Sequence, residues 1–223
     1  CSSDLLRFHK LHLNKGNILI TGATGFIGRE VSTFLREGGW KVAESTREKV
    51  DDAHQVFLDL TNPESVLKIR RNRKFDAIVH LGARIGWSGE SETDLFVPNV
   101  LSTAILANCA KETDARFIFA SAAIVHGNNA EYIDSETPLN PDTPYAKSKL
   151  LAEGLIVSSG VNHCIMRIGG VFGANGPSHL GINNAISRAK AQEVPHILKQ
   201  GGQLRNYIYN KDVAIAIGHI LKE

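Results

Sequence analysis

The sequence predicts a doubly wound α/β fold, in which a parallel sheet is covered by helices on both faces. From Asn17 onward, short and continuously apolar runs alternate with longer amphipathic segments. The apolar runs lack the in-out alternation of a half-exposed strand, which is typical of strands buried on both faces. A glycine-rich turn joins the first apolar run to the first amphipathic segment. Together these observations favour a sheet with helical crossovers.

Each element follows from its local pattern. The predicted strands are apolar runs at residues 17–21, 40–46, 55–60, 75–83, 116–121 and 162–173, with a weaker candidate at 201–209. The predicted helices are amphipathic segments at residues 28–39, 62–72, 99–112, 145–160, 185–192 and 212–223. The first helix carries Val31, Phe34 and Leu35 on one face. Asn62 and Pro63 suit the cap and first turn of the second.

The alternation weakens after Gly173, where a loop-like stretch over 174–184 precedes the weak helix. We therefore divide the chain into a main domain over residues 16–173 and a C-terminal cap over residues 174–223. This cap is either a truncated form of a larger substrate-binding region or an unusually small one. The sequence leaves both alternatives open.

Composition excludes several classes of partner and site. A net charge of +2 gives no reason to expect nucleic acid or an anionic membrane. Cys1, Cys109 and Cys164 form no CxxC pair and no zinc-type spacing, so we predict neither a disulfide framework nor a metal site. The first residues lack the apolar stretch of a signal peptide, and no window approaches the roughly 20 apolar residues of a membrane helix. The sequence predicts a cytoplasmic protein.

The turn "TGATGFIG" spaces Gly22, Gly25 and Gly28 three residues apart between a strand and a helix. In a dinucleotide-binding turn, the first glycine allows the tight turn and the second lets backbone amides approach a pyrophosphate. The third lets the helix pack closely on the strand. Amides and the helix dipole at such a turn favour phosphate. The alternative is a tight turn that needs small residues, because the GxxGxxG spacing differs from the common GxGxxG.

The end of the second strand bears on the choice between NAD and NADP. An acidic residue there would bind a ribose diol, but "AESTRE" ends in Ser45, Thr46 and Arg47, with Glu44 placed earlier. Hydroxyls and a guanidinium suit a 2′-phosphate. We therefore favour NADP, with NAD as the alternative if Arg47 is an ordinary surface charge.

Tyr145 and Lys149 stand four residues apart in "PYAKSKLLAE", so they share one face of the predicted helix. A lysine ammonium near a phenol favours phenolate and is expected to lower the pKa of Tyr145. The phenol would then act as an acid/base near neutral pH. A pair of this kind in isolation is also compatible with an ordinary helix surface.

Several motifs in order carry a resemblance to a known family. They are "TGATGFIG", "LDL" with Asp59, "HLGA" at residues 80–83, "PNV" with Asn99, "YAKSK" and "RNYIYNKDVAIAI". The sequence resembles the extended short-chain dehydrogenase/reductases, especially their NAD(P)-dependent nucleotide-sugar epimerase/dehydratase group. The resemblance runs from about Gly16 to the C-terminus. It implies a Rossmann fold, hydride transfer on a nucleotide sugar, and a homodimer as a further prediction.

The resemblance also implies the roles of individual residues. Tyr145 becomes the catalytic acid/base and Lys149 its activator, while Asn99 holds the architecture around the active site. Arg205 is implied at the diphosphate of a nucleotide sugar, and Ser121 is a second candidate substrate-binding residue. The implied cofactor-binding residues are Gly22, Gly25, Phe26, Ile27, Gly28, Thr46, Arg47, Asp59, Leu60, Leu81, Gly82, Ala83, Asn99, Tyr145 and Lys149.

The substrate half departs from the family pattern. Ala122 stands where relatives have a serine or threonine that donates to the reacting oxygen, and Ser121 replaces it in function only if the strand has ended or bulged there. His126 replaces a tyrosine, and Gly170 replaces an asparagine that contacts substrate.

The residues after Ala122 also narrow the reaction. Ala123 and Ile124 stand where dehydratases have an Asp-Glu pair, so the sequence predicts an epimerase or a keto-sugar reductase. The alternatives are a catalytically weak protein that binds NADP(H) and senses its redox state, or a reductase of a non-sugar carbonyl.

Overall fold

A computed structural model describes residues 15–48, 50, 52–72, 74–86, 91–127, 132–195 and 205–223. The predictions made for the first residues, including Cys1, therefore lie outside the described residues. The first four residues of the weak strand candidate at 201–209 lie outside them as well.

Among the described residues, six strands form one parallel sheet in the order β3-β2-β1-β4-β5-β6. The strands are β1 Asn17–Thr21, β2 Lys41–Thr46, β3 Gln55–Phe57, β4 Ala77–His80, β5 Arg116–Ala122 and β6 His163–Ile168. This is the strand order of the Rossmann fold. The predicted doubly wound sheet is confirmed.

Among the described residues, six of the seven α-helices begin within four residues of their predicted positions, and the short one at Glu92–Leu95 was not predicted. The helices are α1 Phe26–Glu37, α2 Pro63–Asn72, α3 Glu92–Leu95, α4 Ser102–Glu112, α5 Pro144–Ser159, α6 Gly181–Lys190 and α7 Asn210–Ile220. The predicted cap of α2 is confirmed, since Oδ1 of Asn62 accepts from the amide of Glu64 at 3.0 Å. No helix of the described residues is long and apolar enough to cross a bilayer.

Alternating side chains of the central strands divide the core into two layers. Leu19, Ile78 and Phe117 face one side, where they pack with residues of α2, α4 and α5. Ile18 and Ile118 face the other side, where they pack with residues of α1 and α7. The period of two along each strand produces both layers, because both faces of the sheet are covered.

The prediction of a single strand over residues 162–173 is wrong. The chain leaves the main sheet at Ile168, and β7 Gly170–Phe172 pairs in parallel with β8 Tyr207–Tyr209 in a separate two-stranded sheet. The amide of Gly170 already donates to the carbonyl of Asn206 at 3.0 Å. Apolar residues continue beyond Gly169 and Gly170, so the sequence pattern predicts one strand across the point where the chain changes partners.

The helices of the C-terminal region begin earlier than predicted. Helix α6 begins at Gly181 rather than at residue 185, and α7 packs in the same layer as α1 against the main sheet. The division of the chain at residue 173 stays a prediction.

Candidate cofactor and active site

The glycine turn has the geometry that its spacing predicts. Gly22 has a φ of +69°, which favours glycine, and a Cβ there would lie 2.7 Å from the backbone nitrogen of Gly82. A Cβ on Gly28 would lie 2.1 Å from the carbonyl oxygen of Gly22, so the helix packs directly on the turn. Gly25 caps α1, and its amide donates to the same carbonyl at 3.0 Å. Phosphate binding by this turn stays a prediction.

Other predicted cofactor-binding residues converge on the same edge of the sheet, because the carboxyl ends of parallel strands lie together. Leu60 follows β3 and Gly82 follows β4, and a Cβ on Gly82 would lie 2.7 Å from Cδ1 of Leu60. Oγ of Ser45, in β2, accepts from the amide of Gly22 at 3.1 Å. The structure therefore brings the ends of β1, β2, β3 and β4 around the glycine turn.

Three further predicted residues flank this edge. Phe26 and Ile27 open α1 and are partly buried against the core beneath the turn. Asp59 follows β3, and its Oδ1 accepts from the amide of Thr61 at 2.9 Å and from its hydroxyl at 2.8 Å.

The end of β2 lacks a free acidic side chain. Oε1 of Glu44 lies 2.8 Å from Nη1 of Arg36 on α1, so this carboxylate is already paired. Thr46 ends the strand, and its Oγ1 accepts from the amide of Glu48 at 3.1 Å. Arg47 follows and is exposed. The last residue of the strand and the one that follows it therefore carry a hydroxyl and a guanidinium, while the carboxylate of Glu44 is engaged with α1.

Tyr145 and Lys149 share the inner face of α5. This helix begins with Pro144 after Thr143, whose Oγ1 accepts from the amide of Ala146 at 3.1 Å. The ammonium of Lys149 is buried and donates to a carbonyl oxygen of β5, that of Ala120, at 2.7 Å. It lies 5.9 Å from the centroid of the Tyr145 ring.

The expected lowering of the phenol pKa is wrong for this arrangement. Tyr145 is half-buried, and burial raises its pKa to about 12. Burial lowers the pKa of Lys149 to about 7, against an opposing effect of Glu153. The ammonium donates to Ala120 rather than to the phenol, so desolvation dominates both groups.

A buried polar chain, which the sequence pattern did not reveal, links the glycine turn to the helical layer. Oγ1 of Thr103 donates to the carbonyl of Asn99 at 2.7 Å, so it accepts from Nε2 of His80 at 2.9 Å. Nδ1 of His80 therefore accepts from Oγ1 of Thr21 at 2.5 Å, and that hydroxyl accepts from the amide of Gly82 at 3.2 Å. His80 is fully buried, and desolvation lowers its pKa to about 3. The imidazole is thus neutral with one defined tautomer.

Asn99 continues this chain to the helix that carries Tyr145. Its Oδ1 accepts from the amide of Arg84 at 2.8 Å, and its Nδ2 donates to Oγ of Ser148 at 3.0 Å. That hydroxyl donates to the carbonyl of Tyr145 at 2.8 Å. Asn99 lies in a π-helical turn over Phe96–Leu101, a conformation often found at functional sites. These contacts suit the architectural role that the resemblance implies.

Ser121 lies on a different side of β5 from Ala122. The strand stays regular through both residues, which pair with Arg167 and Ile168 of β6. Oγ of Ser121 is buried and donates to Oε1 of Glu153. The condition under which Ser121 could replace the missing donor, an ended or bulged strand, is not met. Its assignment to substrate binding has no support in this geometry.

The segment around Arg205 lies beside β7. Arg205 is exposed and precedes β8 by two residues, and its contact with substrate stays a prediction. A Cβ on Gly170 would lie 2.8 Å from Cδ1 of Tyr207, whose ring therefore occupies the space beside this glycine. Where relatives have an asparagine side chain, this chain has Gly170 with the ring of Tyr207 beside it.

The fold and the residues at its carboxyl edge define a class, the dinucleotide-binding Rossmann proteins with a tyrosine-lysine pair on one helix. Within it, the chain belongs to the NAD dependent epimerase/dehydratase family, whose model matches residues 18–223, and it is an enzyme of that family. The resemblance inferred from the motifs is confirmed.

Individual relatives agree with this assignment. UDP-glucose 4-epimerase from Schizosaccharomyces pombe is 24% identical over 248 residues, covering 92% of this chain and 70% of that protein. The structure of ADP-L-glycero-D-manno-heptose-6-epimerase from Helicobacter pylori has a TM-score of 0.83 at 22% identity, covering 97% of this chain and 76% of that one. UDP-glucose 4-epimerase from Thermus thermophilus, in complex with NAD, has a TM-score of 0.79 at 24% identity, with coverages of 93% and 75%. At these identities, the two structures establish the shared fold.

Proposed function

We propose that the protein is an NAD(P)-dependent nucleotide-sugar epimerase or keto-sugar reductase in which Tyr145 is the acid/base. One observation carries this proposal: a chain of hydrogen bonds joins the glycine turn to the helix of Tyr145 and Lys149 through His80 and Asn99. A fixed distance between a cofactor site and an acid/base is what hydride and proton transfer on one substrate require.

The residues at the carboxyl edge fit a dinucleotide. The glycine turn leaves a cradle that side chains at Gly22 or Gly28 would fill, and α1 begins at its rim. These features support a pyrophosphate at the turn. Asp59 is proposed to contact adenine and Lys149 the nicotinamide ribose, with Gly82 close to the cofactor.

The proposed reaction divides between hydride and proton transfer. A bound nicotinamide supplies the hydride acceptor and donor. Tyr145, with a pKa of about 12, holds its proton at neutral pH and can donate it to a carbonyl oxygen of the substrate. Donation leaves a phenolate, which a charged Lys149 stabilises. In the opposite direction this phenolate removes the hydroxyl proton of the substrate and becomes a phenol again. Lys149, with a pKa of about 7, is divided between its charged and neutral forms at neutral pH.

NADP is the proposed cofactor, with NAD as the alternative. The residues at the end of β2 support NADP, because Glu44 is paired with Arg36 and the strand ends in Thr46, followed by Arg47. Arg47→Ala should weaken NADPH binding by about tenfold or more and leave NADH binding nearly unchanged, because a charge-assisted contact with the 2′-phosphate is lost. Fluorescence titration with both nucleotides measures this. Equal losses for the two would refute the 2′-phosphate assignment.

A nucleotide sugar is the proposed substrate, on the support of the family and of relatives named as UDP-sugar 4-epimerases. Arg205 is proposed to bind the diphosphate. The test is to incubate the protein with NAD(H) or NADP(H) and a panel of UDP-, GDP- and dTDP-sugars, and to follow conversion by chromatography. Tyr145→Phe should abolish turnover while cofactor binding persists. Unchanged turnover in this variant would show that the acid/base assignment is wrong.

A second candidate is a weakly catalytic protein that binds NADP(H) and responds to its redox state. Ala122 favours this function, because the hydroxyl that would donate to the reacting oxygen is missing and Ser121 is engaged with Glu153. The same panel of substrates distinguishes the enzyme from the redox-responsive binding protein. Tight cofactor binding without conversion of any nucleotide sugar or other carbonyl would favour the binding protein. The predicted homodimer is open to measurement by light scattering.

A further inference from the structure

We propose that Glu153, a buried carboxylate one turn beyond Lys149, is a positioning residue that favours the cationic form of Lys149. The inference rests on the proposed role of Lys149 beside the phenol of Tyr145. It adds a third member to the tyrosine-lysine pair.

Glu153 continues the buried stripe of α5. Residues 145, 149 and 153 are spaced four apart, so their side chains follow one another along one helix face. The Glu153 side chain is 6% exposed and Lys149 is also buried. Solvent and salt screen the interaction of two buried charges only weakly.

Hydrogen-bond donors from two strands contact both carboxylate oxygens of Glu153. Nη2 of Arg167 donates to Oε2 at 2.8 Å, and Nε lies 3.2 and 3.3 Å from the two oxygens. The hydroxyl of Ser121 donates to Oε1. Arg167 reaches the carboxylate from β6, and Ser121 reaches it from β5.

His126 fixes the guanidinium from its other side. Its Nδ1 lies 3.1 Å from the carbonyl oxygen of Thr137 and 3.3 Å from that of Pro138, so this nitrogen carries the proton. Nε2 therefore accepts from Nη1 of Arg167 at 3.3 Å. The carboxylate and its partner are thus held between β5, β6, α5 and the loop that leads to Tyr145.

Three titratable groups of the described residues interact with Lys149, and they are Tyr145, His80 and Glu153. The phenol and the imidazole are neutral near pH 7, because burial raises the pKa of Tyr145 to about 12 and lowers that of His80 to about 3. Glu153 is then the anion that opposes the desolvation of the ammonium, and it raises the pKa of Lys149. Arg167 and His126 face Glu153.

The test is to measure the titration of Lys149 directly in protein without cofactor or substrate. NMR of the chain labelled with ¹³C-lysine follows the ε-carbon of Lys149, assigned by its absence in Lys149→Met. Glu153→Gln should lower the midpoint by about one pH unit or more, the usual effect of removing a close opposite charge. An unchanged midpoint in a folded Glu153→Gln variant would overturn the inference.

Three further variants separate charge from structure. Glu153→Asp keeps the charge and should restore most of the midpoint. Ser121→Ala removes a hydrogen bond but no charge and should leave the midpoint close to that of the unmodified chain. Arg167→Gln removes the partially exposed cation that offsets Glu153, so the midpoint should rise, and a fall would overturn the inference even if Glu153→Gln does not fold.

The same variants extend to activity once a substrate is identified. The alkaline limb of the pH profile of kcat/KM should move to lower pH in Glu153→Gln, in step with the NMR midpoint. The NMR titration requires no turnover, so its outcome distinguishes a failure of the Glu153 inference from a failure of the proposed function.

Discussion

Replacement of His80 tests whether the buried polar chain depends on a neutral imidazole. In His80→Leu, the hydroxyl of Thr21 loses its acceptor and the hydroxyl of Thr103 loses a donor. The hydroxyls keep their bonds with Gly82 and Asn99, but one buried donor and one buried acceptor site are left unsatisfied, at about 1–3 kcal/mol each. The leucine keeps most of the apolar packing on Phe117 and Phe119, whose ring centroids lie 5.9 and 5.6 Å from that of His80. We expect the free energy of unfolding at pH 7 to fall by about 2–4 kcal/mol.

The effect of His80→Leu on the free energy of unfolding should depend on pH. His80 has a pKa of about 3 in the folded protein and an ordinary value of 6.5 when unfolded. Between these values the unfolded chain binds more protons, so the stability of the unmodified chain falls as the pH falls through 6.5. From pH 6.5 to pH 5, at about 1.4 kcal/mol per pH unit, this loss reaches about 2 kcal/mol. His80→Leu lacks this loss, so its disadvantage should shrink by about 2 kcal/mol between pH 7 and pH 5.

Urea unfolding followed by circular dichroism at pH 7, 6 and 5 provides the measurement. Thr103→Val is the matched control, because it removes a hydrogen bond of the same chain but no titrating group. Its destabilisation should stay nearly constant with pH. If the difference between the unmodified chain and His80→Leu is the same at pH 7 and pH 5, His80 is not held neutral and the tautomer assigned to the chain is wrong.

Two further predictions concern the cradle and the substrate side. Gly28→Ala should weaken cofactor binding by at least about tenfold, because its Cβ meets the carbonyl of Gly22 and the helix must shift. Gly154→Ala is its control, since a Cβ there meets nothing within 4 Å; equal affinities in fluorescence titration would contradict the cradle. Ala122→Ser should raise turnover by about a hundredfold if residue 122 faces the reacting oxygen. Ser121→Ala should leave turnover nearly unchanged, and a lack of gain in Ala122→Ser would remove residue 122 from the site.

The fold was predictable where local pattern and long-range pairing agree. Strand β1 has the bounds that its apolar run predicts, because a glycine turn closes it and its neighbours cover both faces. The run over residues 162–173 was not predictable in the same way. Its first half pairs with β5 and its second half with β8, which lies far along the chain. Apolar residues lie on both sides of Gly169 and Gly170, so hydrophobicity alone does not reveal the change of partner.

The site was predictable in its spacing but not in its electrostatics. Helical periodicity placed Tyr145 and Lys149 on one face, and the same spacing could have identified Glu153 as the next residue of the stripe. A glutamate on a helix usually indicates a solvated face. The sequence alone therefore does not predict that the carboxylate of Glu153 is buried. The direction of the Tyr145 pKa shift depends on desolvation and on the Ala120 carbonyl, which takes the ammonium's hydrogen bond. The spacing of residues along the helix predicts neither the desolvation of Tyr145 nor the hydrogen bond to Ala120.

The pairing of β5 with β6 limits how this chain can compensate for Ala122. Moving Ser121 into the site would require a slip of one residue, which would turn every side chain of β5 to the opposite face. It would also break the hydrogen bond from Ser121 to Glu153. On the proposed reaction, the donor to the substrate oxygen must therefore be Tyr145 itself, which keeps its proton with a pKa of about 12. A site with this one donor is better suited to protonating a carbonyl oxygen than to removing a hydroxyl proton, so reduction of a keto sugar should be faster than oxidation of the corresponding alcohol.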